Sequence, residues 1–236
     1  MAKKGGSRHC IRITTPRSLP ISGRKSVRWL LCPEPGPHAK GEALSAAVLL
    51  RDVLSLAEDA HEVKRMLVAG HVLVDGKKLH SPRAGIGLMD VIEIPKAGKA
   101  YRMQIVNGQL RPKEITATQA KMKLCKVTGK KTLRGGKTIL ATHDGRTMNA
   151  DEGTRGVKVG STIVMAVPGF KPKSVLPLSA GVKCLVTKGK HAGELAVLEK
   201  IIERTGSMDS EAELKSGPLG FITLTKYLFV VDNEFA

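Results

Sequence analysis

The most regular pattern of apolar and polar positions begins just after residue 41. Apolar residues there recur at three- and four-residue steps, the spacing of one stripe along a helix. The stripe consists of Ala43, Ala46, Ala47, Leu50, Val53, Leu54 and Ala57. This pattern predicts a helix that buries one side against the rest of the protein.

A second, shorter helix is predicted between Asp59 and Gly70. Asp59 can cap its first turn, Glu62 stands three residues further on as in a capping box, and Gly70 lies where the chain turns out. At 100° per residue the helix has an apolar and a polar face. The apolar face carries Val63, Met66 and Leu67, and the opposite face carries His61, Lys64, Arg65 and Val68. The cationic face is either a nucleic-acid contact or an ordinary solvated surface.

Strand patterns joined by tight turns follow the two helices. Asp75-Gly76 between strand-forming residues is a hairpin signal, and Lys77 and Lys78 leave that turn next to the helix face. Residues 91–94 predict a strand that closes this unit. Asn107-Gly108 predicts a second hairpin turn, after which the whole pattern becomes strand-like.

Further short strands, separated by Gly-rich turns, are predicted at 121–127, 138–142 and 161–167. Strands at this spacing favour a small barrel or sandwich. In the first of them cations alternate with apolar residues, so Lys121, Lys123 and Lys126 are predicted to line one face. That face either contacts a polyanion or is an ordinary solvent-exposed surface.

The last part of the chain has a basic loop between glycines, followed by more strand-forming residues at 221–231. The loop lies between Gly181 and Gly193. Short strands around such a loop predict a small five-stranded barrel. The complete pattern therefore predicts an α+β, multi-domain protein.

Charge narrows the possible partners. The chain has 236 residues with 39 Lys plus Arg and 21 Asp plus Glu, giving a net charge of +18. Because 42% of the residues are hydrophobic, the chain folds and is not a disordered basic tail. A soluble fold with this charge needs a polyanionic partner, and nucleic acid fits best. Only seven aromatic residues are present, which favours contact with phosphates of folded, duplex-rich nucleic acid over base stacking.

The cations are concentrated in two of four segments. Residues 1–40 carry +8, residues 41–100 carry 0, residues 101–175 carry +11 and residues 176–236 carry −1. These segments are predicted to be an extended basic arm, a small helical and hairpin module, a basic central β-domain and the barrel. The arm, rich in Pro and Gly, is expected to order against its partner.

Other compartments and chemistries are disfavoured by the same sequence. The longest apolar stretch, 43–50, is too short to span a bilayer, and the N-terminus has no apolar stretch typical of a signal peptide. The four cysteines are far apart, which predicts reduced, cytoplasmic thiols. A zinc site formed by His9, Cys10, Cys32 and His38 is the alternative, but their spacing is irregular.

No catalytic constellation is found. Gly135-Gly-Lys-Thr138 resembles the end of a phosphate-binding loop, but position 131 is Lys where the loop requires Gly. Gly85-Ile-Gly87 begins a dinucleotide fingerprint that Asp90 interrupts. The sequence therefore predicts a protein that is not an enzyme and that requires no cofactor, metal or small-molecule substrate.

Four groups of motifs occur in one order along the chain. The arm has 16–20, Arg24-Lys25, Trp29 and 35–38; the module has 50–54, 63–67, 70–76 and 87–92; the central block has 121–127 and 142–147; the last block has Gly181, Val186, Gly189, Gly193 and Ile201. In this order they resemble protein four of the small ribosomal subunit in its archaeal and eukaryotic form, over nearly the whole chain. The module resembles an RNA-binding module shared with bacterial small-subunit protein four, and the last block resembles a KOW motif in an SH3-like barrel. The length resembles that of archaeal members.

The resemblance implies a structural protein of the cytoplasmic ribosome, with small-subunit ribosomal RNA and neighbouring ribosomal proteins as partners and no membrane association. A KOW-bearing translation or transcription factor that associates transiently is the alternative, and an RNA-modifying enzyme tethered by the module is a third. The predicted RNA contacts are Arg12, Arg17, Arg24, Lys25, Arg28, Trp29, His38, His61, Lys64, Arg65, His71, Lys77, Lys78, Lys121, Lys123, Lys126, Lys130, Lys131, Arg134, Lys137 and Arg146.

Overall fold

A computed structural model describes residues 10–150, 154–204, 206, 208–217, 219–232 and 235. These residues form a mostly β structure with a few short helices, built on three five-stranded antiparallel sheets and two two-stranded ribbons. The α-helices are α1 (Ala46–Val48), α2 (Ala60–Val68) and α3 (Ala117–Ala120). The expected α+β composition is therefore present, but strands dominate it.

The chain begins with two-stranded pairs that hold the arm and the module together. The strands are β1 (Cys10–Ile11), which pairs with β2 (Trp29–Leu30), and β3 (Leu44–Ser45), which pairs with β6 (Gly85–Ile86). Leu19 and Ile21, between β1 and β2, are buried in the largest apolar core. The Leu110 N–H also donates to the Ser18 carbonyl at 2.7 Å. The part of the arm from residue 10 onward is thus packed on the protein, unlike the predicted extended arm, whereas residues 1–9 lie outside the described residues.

The long helix predicted at 43–57 is wrong. Its start is strand β3, its middle is the three-residue α1, and Leu49–Val53 continues as a π-helical turn. All residues from 43 to 50 are buried, so no solvent-facing side enforces a helical period. The Ala46 and Ala47 N–H groups instead donate to carbonyls of Ala84 and Pro82, so a neighbouring segment takes the place of helical hydrogen bonding.

The predicted second helix is confirmed as α2. Val63 and Leu67 are buried, Met66 is half-buried, and Asp59 is the N-cap residue. The capping box is not formed: Asp59 makes no capping hydrogen bond, and Glu62 accepts the Glu58 N–H at 2.8 Å instead. The carboxylate still satisfies an N–H beside the helix start, one residue earlier than the motif places it.

The N-terminal sheet contains both predicted hairpins, in the strand order β5-β4-β7-β8-β9. Its strands are β4 (Leu73–Val74), β5 (Lys77–Lys78), β7 (Val91–Ile94), β8 (Lys99–Val106) and β9 (Gln109–Ile115). Asp75 and Gly76 both have positive φ, as do Asn107 and Gly108, which is the geometry of two-residue hairpin turns. The predicted segment boundary between residues 100 and 101 falls inside β8, which pairs with β7 and β9. The charge change there does not coincide with a break in strand pairing.

The central sheet follows α3, in the order β12-β11-β10-β13-β14. Its strands are β10 (Met122–Thr132), β11 (Thr138–Thr142), β12 (Thr147–Asn149), β13 (Thr162–Ala166) and β14 (Lys171–Leu176). A capping box between Thr116 and Gln119 starts α3. The predicted strands at 121–127, 138–142 and 161–167 all belong to this sheet.

The C-terminal sheet has the order β18-β17-β16-β15-β19. Its strands are β15 (Lys183–Val186), β16 (Leu195–Ile202), β17 (Glu211–Ser216), β18 (Leu219–Leu224) and β19 (Leu228–Val230). Five strands occur here, the number predicted from the sequence. Among the described residues, no helix is long and apolar enough to cross a membrane.

Candidate nucleic-acid interface

The polar face of α2 is exposed as its spacing predicts. His61, Lys64 and Arg65 are all exposed on this face. The hairpin cations Lys77 and Lys78 are also exposed. The aliphatic part of Lys78 lies against Gly70, where a Cβ would come within 3.2 Å of it, so the hairpin cations sit at the C-terminal end of α2. The helix and the hairpin therefore contribute to one cationic surface, with His71 half-buried beside it.

A second cationic surface is the far end of the β10–β11 hairpin. Its exposed side chains are Lys130, Lys131, Arg134 and Lys137. The tip turns through Gly135 and Gly136, both at positive φ. This hairpin projects beyond the buried half of its sheet, since all residues from 130 to 137 are exposed.

Sequence reasoning missed two cations of this second surface. Arg155 and Lys158 are exposed, and Arg155 donates to the Gly136 carbonyl at 3.3 Å. Lys130 in turn donates to the Arg155 carbonyl at 2.6 Å, which joins the 154–158 segment to the hairpin. The net charge of the block is the only sequence signal for these two residues, because the strand patterns end before them.

Lys123 is not on a surface, and its predicted role as an RNA contact is wrong. Its side chain is completely buried, as are its neighbours Leu124 and Cys125. The alternation of cationic and apolar residues in 121–126 predicts a strand with one solvent-exposed and one buried face. However, β10 is the middle strand of its sheet and is covered on both sides at this point. Lys121 is exposed at the start of the strand.

Lys123 is the centre of an ion cluster made by Lys123, Asp75, Asp90, Asp144 and Arg146. The Lys123 Nζ lies 2.6 Å from Asp75 Oδ2, 2.6 Å from Asp90 Oδ1 and 3.2 Å from Asp144 Oδ2. Arg146 lies 3.1 Å from Asp75 and 2.9 Å from Asp144. Asp75 and Asp90 come from the N-terminal sheet, whereas the others come from the central sheet, so the cluster joins the two sheets.

The charge states follow from burial and from these contacts. Burial alone would raise the pKa of Asp90, but Lys123 and a hydrogen bond from His38 outweigh it and lower that pKa to about 2. Burial likewise opposes ionisation of Asp144, yet Lys123 and Thr142 hold its pKa well below the usual range. Burial would lower the pKa of Lys123, but the three carboxylates raise it above its usual value. Burial and the neighbouring Asp90 raise the pKa of Asp75.

Two further predicted contacts, Arg146 and His38, are engaged within the protein. Arg146 stacks over the Phe170 ring at 3.4 Å while it binds the cluster. His38 Nε2 lies 2.9 Å from Asp90 Oδ2, and the side chain is only 5% exposed. The two predictions assume that the Arg146 and His38 side chains are free to reach a partner. The sequence does not indicate that Asp75 and Asp90 lie beside these side chains.

The predicted contacts of the arm also divide into side chains engaged within the protein and side chains that are exposed. Arg12 is buried, 3.1 Å from Asp52, and Arg24 donates to the Thr15 and Pro16 carbonyls. Arg12 is therefore a structural residue, which corrects its assignment as an RNA contact. Of the RNA contacts predicted in the arm, Arg17, Lys25, Arg28 and Trp29 are exposed.

Lys126 connects the central sheet to the C-terminal part of the chain. It is half-buried and donates to the Lys226 carbonyl at 2.7 Å. Burial lowers the pKa of Lys126 to about 8. A fraction of this amine is thus neutral near physiological pH, which weakens its predicted role as a phosphate contact.

One group of potential metal ligands lies beside the cluster. Ligand atoms of Cys125, His143 and Asp144 lie within 4.8 Å of one another. His143 Nδ1 accepts the Lys126 N–H at 3.2 Å, and Nε2 then donates to the Leu88 carbonyl at 3.1 Å. Burial raises the pKa of the Cys125 thiol, which donates to Asp144. Both imidazole nitrogens are used and the thiol is protonated, so the group suits hydrogen bonding and not metal ligation.

Taken together, the fold and the charge distribution define a basic, multi-sheet protein with many cations at its surface and three buried aspartates between two of its sheets. Comparison with known proteins gives the family. The model of the ribosomal family S4e matches residues 97–171. The small ribosomal subunit protein eS4 of Korarchaeum cryptofilum is 38% identical over 99% of this chain and 97% of its own length. The corresponding protein of Nanoarchaeum equitans is 36% identical over 96% of each.

The fold agrees with these similarities. The crystal structure of the 30S ribosomal protein S4e from Thermoplasma acidophilum superimposes with a TM-score of 0.70 and 31% identity, covering 83% of this chain and 98% of that one. This chain therefore belongs to the ribosomal S4e family. It is a structural, non-enzymatic ribosomal protein of archaeal type, as the resemblance implied.

Removing the central charge of the ion cluster tests its importance for stability. We expect Lys123→Met to lower the free energy of unfolding by about 3–5 kcal/mol, because it leaves three buried carboxylates with Arg146 as their main cation. Urea unfolding followed by circular dichroism measures the change. The matched variant Lys121→Met, at an exposed position two residues earlier, is expected to change stability by less than about 0.5 kcal/mol. Equal effects of the two substitutions would contradict this account.

The buried imidazole predicts a pH dependence of stability. Burial lowers the pKa of His143 to about 4, and protonation would remove the acceptor that the Lys126 N–H uses. Between pH 6.5 and 4 the unfolded chain therefore binds more protons at this residue than the folded chain. The free energy of unfolding is expected to decrease by about 3 kcal/mol as the pH falls through that interval.

The contribution of His143 is isolated by comparing variants in the same urea titrations. His143→Gln is expected to flatten the pH dependence over this interval, whereas His80→Gln, at an exposed histidine, is expected to preserve it. A wild-type pH dependence in His143→Gln would show that other groups cause it.

Proposed function

We propose that this chain binds small-subunit ribosomal RNA through phosphate contacts and remains part of the particle in the cytoplasm. The observation that carries the proposal is the separation of its cations into buried and exposed sets. The buried set holds the sheets together. The exposed set forms two surfaces on rigid elements, one on α2 and β5 and the other on the β10–β11 hairpin.

The α2 surface suits a phosphate backbone. Lys64 and Arg65 project from a helix whose other face is anchored by Val63 and Leu67, so their positions are held without an internal salt bridge to either of them in the described structure. Lys78 at the end of the same helix extends the charge. Several cations held at fixed spacing release counterions from an RNA helix when they meet its phosphates, which favours binding entropically.

The β10–β11 hairpin suits a groove or a junction between RNA helices. Its exposed end is narrow and carries Lys130, Lys131, Arg134 and Lys137 with no acidic residue between 130 and 138. RNA duplexes are recognised mostly by shape and by phosphate and 2′-hydroxyl contacts. The hairpin therefore offers reach and charge without requiring a particular base sequence.

The remaining assignments complete the proposal. Residues 41–100 act as an RNA-binding module extended by β8 and β9, the central sheet is the main basic domain, and residues 176–236 form an SH3-like barrel with a KOW loop. The near-neutral charge of this last segment fits contacts with neighbouring ribosomal proteins more than with RNA.

Charge reversal on α2 tests the first surface. The double variant Lys64→Glu, Arg65→Glu is expected to bind small-subunit RNA more weakly. The slope of log affinity against log salt is expected to become shallower by roughly one unit for each phosphate that the variant no longer neutralises. Filter binding over a series of salt concentrations measures both quantities. Unchanged affinity and slope would exclude this face from the interface.

A matched charge reversal serves as the control. Lys200→Glu with Lys215→Glu changes the net charge by the same amount but lies in the near-neutral C-terminal sheet. This control is expected to retain most of the affinity and the slope. If both double variants weaken binding equally, RNA binding depends on overall charge and not on the α2 surface.

Stoichiometry distinguishes an integral protein from a factor that cycles. Cell extract is sedimented through a high-salt sucrose gradient, and this chain is quantified in each fraction. We expect close to one copy per small subunit after the salt wash, because an integral protein is also held by packing against folded RNA and neighbouring proteins, which salt weakens far less than cation–phosphate pairs. Release to the top of the gradient, or a trace amount on the particles, would favour a transiently bound KOW-containing factor.

A further inference from the structure

The ribbon formed by β1 and β2 has one face turned away from the core. The register pairs Ile11 with Trp29 and Cys10 with Leu30, so these two pairs lie on opposite faces. Leu30 packs against the largest core. Ile11 and Trp29 therefore point outward, and Leu31 next to β2 is exposed as well.

This outward face is unusually apolar for a surface. Its apolar side chains are Ile11 (38% exposed), Ile13 (56%), Val27 (56%), Trp29 (50%) and Leu31 (40%). They lie on or within two residues of two paired strands, and exposed apolar groups that collect in this way generally mark a contact surface. We call these five residues the ribbon face.

The charged side chains along the segment that carries the ribbon, which we call the rim of the ribbon face, are all cationic. Residues 10–33 contain no Asp or Glu, and Arg17, Lys25 and Arg28 are exposed there. Arg28 lies over the Trp29 ring with its guanidinium carbon 5.0 Å from the ring centroid. An apolar centre on a segment whose charges are all positive complements a ligand that has flat apolar surfaces and a surrounding negative charge.

Among RNA structures, unpaired nucleotides have that chemistry. A paired duplex keeps its base faces stacked inside and offers phosphates alone, for which the apolar side chains of the ribbon face have no use. Splayed-out bases expose flat faces that stack on aromatic rings and on guanidinium planes, while their phosphates remain accessible to surrounding cations. A protein partner would need acidic groups around an aliphatic surface to match the same rim.

We propose that the ribbon face is a platform for unpaired nucleotides, with a base stacked on Trp29 beside Arg28 and the adjacent aliphatic side chains covering the neighbouring base or ribose. This inference rests on the proposed RNA binding and adds a second mode to it. The α2 surface and the β10–β11 hairpin bind phosphates, whereas the ribbon face distinguishes unpaired from paired RNA.

Trp29 is the only tryptophan in the chain, so its fluorescence reports on this site alone. The full-length protein is titrated with a hairpin RNA that has a large unpaired loop and with a fully paired duplex of the same number of nucleotides. Binding of each RNA is followed in parallel by filter binding, which does not depend on Trp29. We expect the loop RNA to quench the fluorescence strongly and the bound duplex to leave it nearly unchanged.

Variants test whether stacking contributes to affinity. Trp29→Ala is expected to weaken binding of the loop RNA by at least about fivefold, the lower end for removal of one stacked base, and to leave the duplex affinity within about twofold. Trp29→Phe, which keeps a ring, is expected to recover most of the affinity. Ile13→Ser is expected to weaken loop binding selectively, whereas Ile222→Ser, equally exposed on β18, is the matched control.

Failure of the platform and failure of the proposed RNA binding give different results in these experiments. If both RNAs bind but neither quenches Trp29, or the duplex quenches it equally, the platform is overturned while the proposed RNA binding stands. If neither RNA binds, the proposed function itself fails. Photo-cross-linking from position 13 in purified small subunits provides an independent test: a cross-link to RNA supports the platform, and one to a ribosomal protein overturns it.

Discussion

The contact on which the arrangement of this protein depends is that of the Lys123 ammonium with three aspartates. Two of them, Asp75 and Asp90, belong to the N-terminal sheet, and Asp144 belongs to the central sheet. A buried ammonium left without partners costs several kcal/mol, so sliding or rotation of one sheet against the other would expose an uncompensated charge. Apolar packing between the sheets tolerates small shifts, whereas this cluster accepts few geometries. The relative position of the cationic surfaces on α2 and on the β10–β11 hairpin is thereby fixed.

A strongly basic chain gains from this use of its acidic residues. With a net charge of +18, each carboxylate that is buried leaves more of the positive field at the surface, while Glu58, Asp59 and Glu62 stay exposed near the start of α2. Asp75, Asp90 and Asp144 are buried instead, where they neutralise cations that would otherwise be excluded from the interior. His38 donates to Asp90 from the arm, so the same cluster also holds the arm in place. The interior is therefore ionic where segments meet, and the surface keeps its positive potential.

Local features of the fold are predictable from the sequence, and features that depend on distant contacts are not. The helix α2 and both hairpin turns are predicted correctly because the apolar period, the N-cap residue and the turn residues lie within a few positions of one another. The helix predicted at 43–57 is wrong because a fully buried segment carries no polar face to define its period. The surface position predicted for Lys123 is wrong for a related reason. Alternation on β10 is the pattern of a half-exposed strand, and only the positions of Asp75 and Asp90, far away in sequence, show that the lysine is enclosed.

The same reasoning separates the candidate site residues into two kinds. Exposed cations such as Lys64 and Lys131 lie on the surface as predicted, since neither forms an ion pair within the part of the chain that the structure describes. Arg12 and Arg146 belong to the other kind, because each meets an aspartate that is remote in sequence. Composition measures how much positive charge a chain has, but the cost of burying a charge decides where each part of it goes. A cation that is paired with a carboxylate in the interior stabilises the fold. A cation without such a pair has to lie at the surface, in contact with water or a partner. By this rule, the α2 face, the β10–β11 hairpin and the rim of the ribbon face are the surfaces to which we assign the proposed RNA contacts.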